Sequence, residues 1–306
     1  MTHDVAVSVR HALVSDAEQI VVLGRALDRD QIATASSFRS LLERPAHPLT
    51  ERLVAETTAG LIAWAPSGVY ASGAGWFWIG VQHGHRRRGL GTRLYDQIEN
   101  RLLRAGGKRI DTTASDGEGR AFLLGRGFAV ANVVRNAEVD PRTVSAPFQL
   151  ADARPVPLAE ALVHADALFR LYSEARHDVP SDSPRTPWTF DEWRAETIDS
   201  PLIDLDASVV LLEGDEPVAL AWLYSDREGR RAETLMAATR RDRRGCGLAT
   251  AAKIESTRRA AGLGITRIVT SNDRHNRPML AINDRLGFTT TAIVESFSKN
   301  LSSERE

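Results

Sequence analysis

The chain has 306 residues, long for one ordinary core and enough for two domains of about 150 residues each. Its 42% apolar and 26% charged residues exclude a disordered chain, and a formal net charge of −1 argues against a dedicated nucleic-acid or polyanion binder. Cys246 is the only cysteine, which excludes an internal disulfide and fits a reducing cytosol, and no stretch approaches the ~20 apolar residues of a membrane span.

The first half opens on Val7-Ser8-Val9-Arg10, a strand pattern, with no basic-then-apolar leader in residues 1–14; the expectation is a cytoplasmic protein. Ser15-Asp16 offers an N-cap for a helix carrying Ile20, Val21, Leu23 and Leu27, and residues 38–42 suggest a second helix. Strands are expected at 52–56, 60–65 and 76–81. Trp76 and Trp78 alternate on the last of these and so share one face, as core or domain interface. A glycine-bearing turn, Arg86-Arg87-Arg88-Gly89-Leu90-Gly91, then starts a helix with Leu90, Leu94, Ile98 and Leu102 every four residues, stopped by Gly106-Gly107. A strand at 109–113, a flexible loop at Ser115-Asp116-Gly117-Glu118-Gly119, a helix at 120–124 and the pair Gly127-Phe128 complete the half.

The second half repeats this order. A helix at 158–176 leads into a loop with Asp178, Pro180, Pro184 and Pro187, and strands follow at 209–212, 218–224 and 233–239. The turn Arg244-Gly245-Cys246-Gly247-Leu248-Ala249 opens a helix to about Ala261, followed by a strand at 267–270, a helix at 279–285 and the pair Gly287-Phe288. Arg86 to Arg244 is 158 residues and Gly127 to Gly287 is 160, so the halves keep step as one duplicated domain. Pro141 and Pro147 interrupt the pattern, which predicts domains at 1–145 and 146–306.

In both turns an Arg is followed three residues later by Gly and five later by Gly or Ala. Small residues let the backbone approach a ligand, and free N–H groups at a helix start suit an anion, pyrophosphate above all. The plain alternative is an Arg-rich strand-to-helix turn with Gly for tight packing. His83-Gly84-His85 is too tight and isolated for a metal site, so no metal is expected.

Val81-x4-Arg86-x2-Gly89-Leu90-Gly91 and Thr239-x4-Arg244-x2-Gly247-Leu248-Ala249, each with a Gly-Phe pair about 40 residues on, resemble the GNAT (Gcn5-related) N-acetyltransferases. The duplication resembles the tandem-GNAT proteins, a group that includes mycothiol synthase. The resemblance implies an α/β (α+β) fold of two tandem domains, each a mixed twisted sheet flanked by helices, with acyl-CoA bound where two parallel strands splay. It implies a pantetheine arm along the strand ending at Thr239 and a pyrophosphate on Arg244, Gly245, Cys246, Gly247, Leu248, Ala249 and Thr250. The matching positions of the first half are Val81, Arg86, Arg87, Arg88, Gly89, Gly91 and Thr92. Asn272 and Asn276 are candidates for pantetheine or adenosine contacts, with turn chemistry and helix capping as the alternative.

The family base often lies on the strand before the turn. Eleven positions before Arg244 stands Glu233, whereas eleven before Arg86 stands Gly75, so the second half is the expected catalytic one. The family's usual acid, a Tyr four residues before the Gly of the Gly-Phe pair, is replaced by Asn283 and Leu123, and Asn cannot release a proton as a phenol does. Asn283 is then expected to orient the acyl group or the acceptor, with water, Tyr172 or Tyr224 as the source of the proton. Trp188, Phe190 and Trp193 are candidates for an apolar acceptor wall or for plain packing. The expected activity is transfer of an acetyl group from acetyl-CoA to a small-molecule amine by a monomer or homodimer, independent of nucleic acid and membrane. The alternatives are acetylation of a cysteinyl amine, as mycothiol synthase does, and a non-catalytic acyl-CoA sensor.

Overall fold

The computed structural model describes residues 6–44, 49–70, 73–145, 153–180 and 186–301. The chain divides into two compact units, residues 1–132 with 294–306 and residues 133–293.

Unit 1 begins with β1 (Ser8–His11), α1 (Ala17–Leu27), α2 (Ala35–Glu43), β2 (Arg52–Thr57), β3 (Gly60–Val69), β4 (Gly75–Phe77) and β5 (Gly80–Val81). It continues with α3 (Leu90–Arg104), β6 (Arg109–Ala114), α4 (Gly117–Leu124) and the start of β7 (Ala129–Val139). Asp16 does not cap α1 as expected; its carboxylate accepts from the Leu13 N–H and from Arg10, ahead of the helix. Leu94, Ile98 and Leu102 of α3 are fully buried against Phe77, Ile110 and Phe297, each burial stabilising by about 1.5–3 kcal/mol. The stretch at 115–119 is ordered rather than loose: the Asp116 carboxylate accepts from the Gly119 N–H at 2.6 Å and caps α4.

Unit 2 contains β8 (Arg154–Pro157), α5 (Leu158–Ala161), α6 (Ala165–Asp178), α7 (Phe190–Glu196), β9 (Val209–Glu213) and β10 (Glu216–Asp226). Then come β11 (Arg231–Thr239), α8 (Leu248–Gly262), β12 (Arg267–Asp273), α9 (Arg277–Arg285) and the start of β13 (Thr289–Asn300). Trp193 is buried in the core among Phe169, Tyr172, Phe190 and Trp222, while Trp188, stacked on Tyr172, and Phe190 are half-buried against it.

The sheet of unit 1 runs β1-β2-β3-β4-β6-β13 and that of unit 2 runs β7-β12-β11-β10-β9-β8. Each has one parallel junction, β4 with β6 and β11 with β12, among antiparallel ones. Residues 295–300 of β13 pair with β6, and residues 134–139 of β7 pair with β12. A single cut at 145 therefore misses the compact units: each sheet takes its last strand from the other half of the sequence, because β7 and β13 each run out of one unit into the next. Pro147 and Pro184 lie outside the described residues.

Candidate active site

In each unit the two parallel strands pair briefly and then part. In unit 1 the partners are Gly75 with Ile110 and Trp76 with Asp111; in unit 2 they run from Arg231 with Arg267 to Glu233 with Val269. Trp78 and Gln82 donate their N–H groups to β3. Successive residues of an antiparallel strand bond to opposite sides, so Phe77, Ile79 and Val81 turn their backbone groups toward the gap. The Thr112 hydroxyl donates across the narrow end of that gap to the Phe77 carbonyl at 2.8 Å.

The two turns have matching backbones. Arg87 (φ 62°) and Gly89 (φ 82°) are left-handed in the first, Gly245 (φ 81°) and Gly247 (φ 78°) in the second. Gly89 and Gly247 occupy the N-cap positions of α3 and α8 without a side-chain cap, which leaves the first-turn N–H groups to an outside acceptor. Leu90 and Leu248 are buried, so at those positions only the backbone is presented. Arg86 Nε donates to the Val81 carbonyl (2.9 Å) and Arg244 Nε to the Thr239 carbonyl (3.2 Å). Both arginines thus tie the turn to the end of its strand.

Around that shared frame the units differ. Unit 1 holds a cavity of about 670 Å³. One wall is residues 77–81, another is residues 112–116 with α4, and the floor is the turn with Arg86, Arg87, Gly89, Gly91 and Thr92. Leu27 and Trp78 close one end, lying so near Gly80 that a Cβ there would run into both side chains. A Cβ on Gly91 would meet the Phe122 ring at 3.6 Å. Arg86 is held by Asp116 (3.2 Å) and Glu118 (3.1 Å), whereas Arg87 and Arg88 are exposed. The narrow end of the cavity is lined by Phe77, Trp78, Ile79 and Leu123, with Thr112 spending its hydroxyl on the Phe77 carbonyl.

In unit 2 a polar chain links α8, α9 and β12. Lys253 Nζ donates to Asn283 Oδ1 (2.6 Å), and Asn283 Nδ2 donates to Asn272 Oδ1 (2.6 Å). Lys253 also lies 4.7 Å from the Phe288 ring centre, and burial pushes its pKa down to about 7. The turn is engaged by α6: Glu174 accepts the Arg241 N–H at 2.8 Å, and Asp178 pairs with Arg241 and Arg244. Those two arginines hold the Asp178 carboxyl down at about 2.

Glu233 is half-buried at the last parallel pair of β11, opposite Tyr224, whose hydroxyl donates to the Glu196 carbonyl. Asn283, expected to orient the acyl group, is buried with its amide bonded on both sides. Asn276 caps α9 through the Met279 N–H, and Tyr172 is packed in the core, stacked on Trp222. Thr250 lies half-buried in the first turn of α8 and Cys246 is exposed. Lys253, Asp178 and Arg126 are absent from the sequence-based set. For Lys253 a signal existed, since it occupies the repeat position of Tyr95, on the inward side of its helix.

The chain matches the Acetyltransferase (GNAT) family over residues 24–128 and again over 165–288. No curated protein matches it in sequence. Among solved structures, a GCN5-related N-acetyltransferase from Sphaerobacter thermophilus superposes with TM-score 0.73 at 18% identity, covering 96% of this chain and 95% of that one. A tandem GNAT protein from the clavulanic acid biosynthesis pathway gives 0.71 at 15%, covering 98% and 100%. The N-myristoyltransferase of Saccharomyces cerevisiae with bound myristoyl-CoA gives 0.64 at 13%, covering 96% and 79%. At these identities the likeness is one of fold, whereas the double family match is one of sequence: the chain belongs to the GNAT acetyltransferase family, with two domains in tandem.

Proposed function

We propose that the chain transfers an acetyl group from acetyl-CoA to the primary amine of a small molecule in the cytoplasm, and that the donor lies in the cavity of unit 1. The observation that carries this reading is the cavity itself, which runs between the parted strands β4 and β6 down to the head of α3. The turn amides from Gly89 onward face the pyrophosphate, and the backbone of Ile79 and Val81 pairs with the pantetheine arm as a neighbouring strand does. The reading thus puts catalysis in the opposite half from the sequence-based expectation, at a turn that was already a candidate for the cofactor. Unit 2 differs in the polar chain of Lys253, Asn283 and Asn272, where the cavity of unit 1 is lined by Phe77, Trp78, Ile79 and Leu123.

Gly75 and Leu123 stand in unit 1 where the resemblance puts a base and an acid, so those two positions supply neither. The contribution of unit 1 is desolvation by Phe77, Trp78 and Leu123 and an Ile79 N–H aimed at the developing oxyanion. The amine attacks in its neutral form, forming the N–C bond as the C–S bond breaks, and the proton lost from nitrogen ends on the thiolate by way of water. A thiol pKa of about 8.5 makes that leaving group tolerant of a missing acid. The same lack of a base and an acid at those two positions favours the second reading, an acyl-CoA-binding sensor that does not turn over.

The test is a matched pair. Gly91→Trp fills the floor of the cavity and is expected to weaken acetyl-CoA binding by about a hundredfold, roughly 2.7 kcal/mol, while the repeat-equivalent Ala249→Trp leaves it within about twofold. Isothermal titration measures both, and release of free thiol over a panel of amines separates enzyme from sensor. The reverse pattern of affinities moves the donor to unit 2.

A further inference from the structure

Arg126 occupies a position that should be apolar. It directly precedes the Gly127-Phe128 pair, and the matching residue of unit 2 is Leu286, a buried core side chain. Here the guanidinium lies across the Phe122 ring, 3.8 Å from its centre and 5.3 Å from that of Tyr95, and Nη2 donates to the Thr92 hydroxyl at 2.6 Å. It lines the cavity and is half-buried. Among the described residues no carboxylate pairs with it, whereas Arg86 in the same cavity is held by Asp116 and Glu118. The cation–π contact and the Thr92 bond hold the guanidinium in place without neutralising it, so its charge is presented to the cavity. The aromatic face and the hydroxyl fix the plane of the guanidinium, which still has donors free to form charge-assisted bonds to a phosphoryl group.

We infer that Arg126, positioned by Thr92 and Phe122, receives the ribose 3′-phosphate of the acyl-CoA and makes this cavity selective for coenzyme A over its 3′-dephospho form. The inference rests on the donor site proposed above. The pyrophosphate takes the turn amides around Gly89, and Arg126 enters from the α4 wall onto Thr92, beyond those amides. A donor whose pyrophosphate lies on those amides would bring its second anionic group, the ribose 3′-phosphate, within the same cavity. A monoester dianion facing a planar guanidinium is a stronger pair than any neutral contact there.

The experiment is titration calorimetry of the full chain with acetyl-CoA and with 3′-dephospho-acetyl-CoA, for the wild type, Arg126→Leu and Arg126→Lys. The Leu variant carries the residue that unit 2 uses at this position, and its melting temperature reports folding. The wild type is expected to prefer acetyl-CoA by at least about tenfold, Arg126→Leu to lose that preference to within about twofold, and Arg126→Lys to keep part of it. A preference that survives Arg126→Leu, or an equal loss for both ligands, overturns the assignment. Failure of the wild type to bind either ligand is a different result, and it removes the donor site itself.

Discussion

At the first turn Arg86 holds the Val81 carbonyl and two carboxylates from the start of α4; at the second, Arg244 holds the Thr239 carbonyl and a carboxylate from the end of α6. The backbone frame is common to both, with left-handed residues at 87 and 89 and at 245 and 247. What differs is the filling. Unit 1 leaves about 670 Å³ between its parted strands, while unit 2 ties Lys253 of α8, Asn283 of α9 and Asn272 of β12 into a bonded row. A duplicated turn can thus keep its backbone frame while its surroundings change, since left-handed residues and free amides at a helix start are local features and the side chains packed around them are not.

The largest effect that can sharpen this comparison concerns what each unit is made of. Phe297 lies late in the sequence yet is fully buried in the core of unit 1, opposite Thr112 on β6. Phe297→Ala is expected to cost about 3–5 kcal/mol in urea unfolding and to weaken acetyl-CoA binding in parallel. Loss of stability with binding intact would mean that the donor does not depend on unit 1.

A smaller effect tests the chemistry. A true general base contributes about 10²–10⁴-fold, so Glu233→Gln should leave turnover within a factor of about two if the donor lies in unit 1. A drop of about a hundredfold or more would return catalysis to unit 2, where the sequence pattern had suggested it.

The smallest effect reads the filling of unit 2. Lys253 titrates near 7 in the folded chain and at about 10.4 when unfolded, so between these values the unfolded chain binds the extra proton. Its contribution to stability therefore rises with pH across that window, by at most about 1.4 kcal/mol per pH unit, and is flat below it. The difference in melting temperature between wild type and Lys253→Met should grow in favour of the wild type from pH 7 to pH 10. A constant difference would show that Lys253 stays charged in the fold.

Local sequence determined a great deal here. The four-residue spacing of Leu90, Leu94, Ile98 and Leu102 and the paired glycine turns suffice for the duplicated α/β family fold, because helix periodicity and left-handed glycine are properties of short segments. Residues 129–139 and 289–300, the strands that complete the two sheets, lack the alternation that would announce them, and their partners lie far along the chain or in the other half of it. Contents of the gaps were equally out of reach. Whether a turn faces open space, the Asp178 carboxylate or a buried Lys253 depends on side chains brought together from distant elements, and only tertiary packing chooses among them. Arg126 is the sharpest instance: in the chain it is one arginine among many, and it comes to line a cavity, bonded to Thr92, only when α4 lies beside the head of α3.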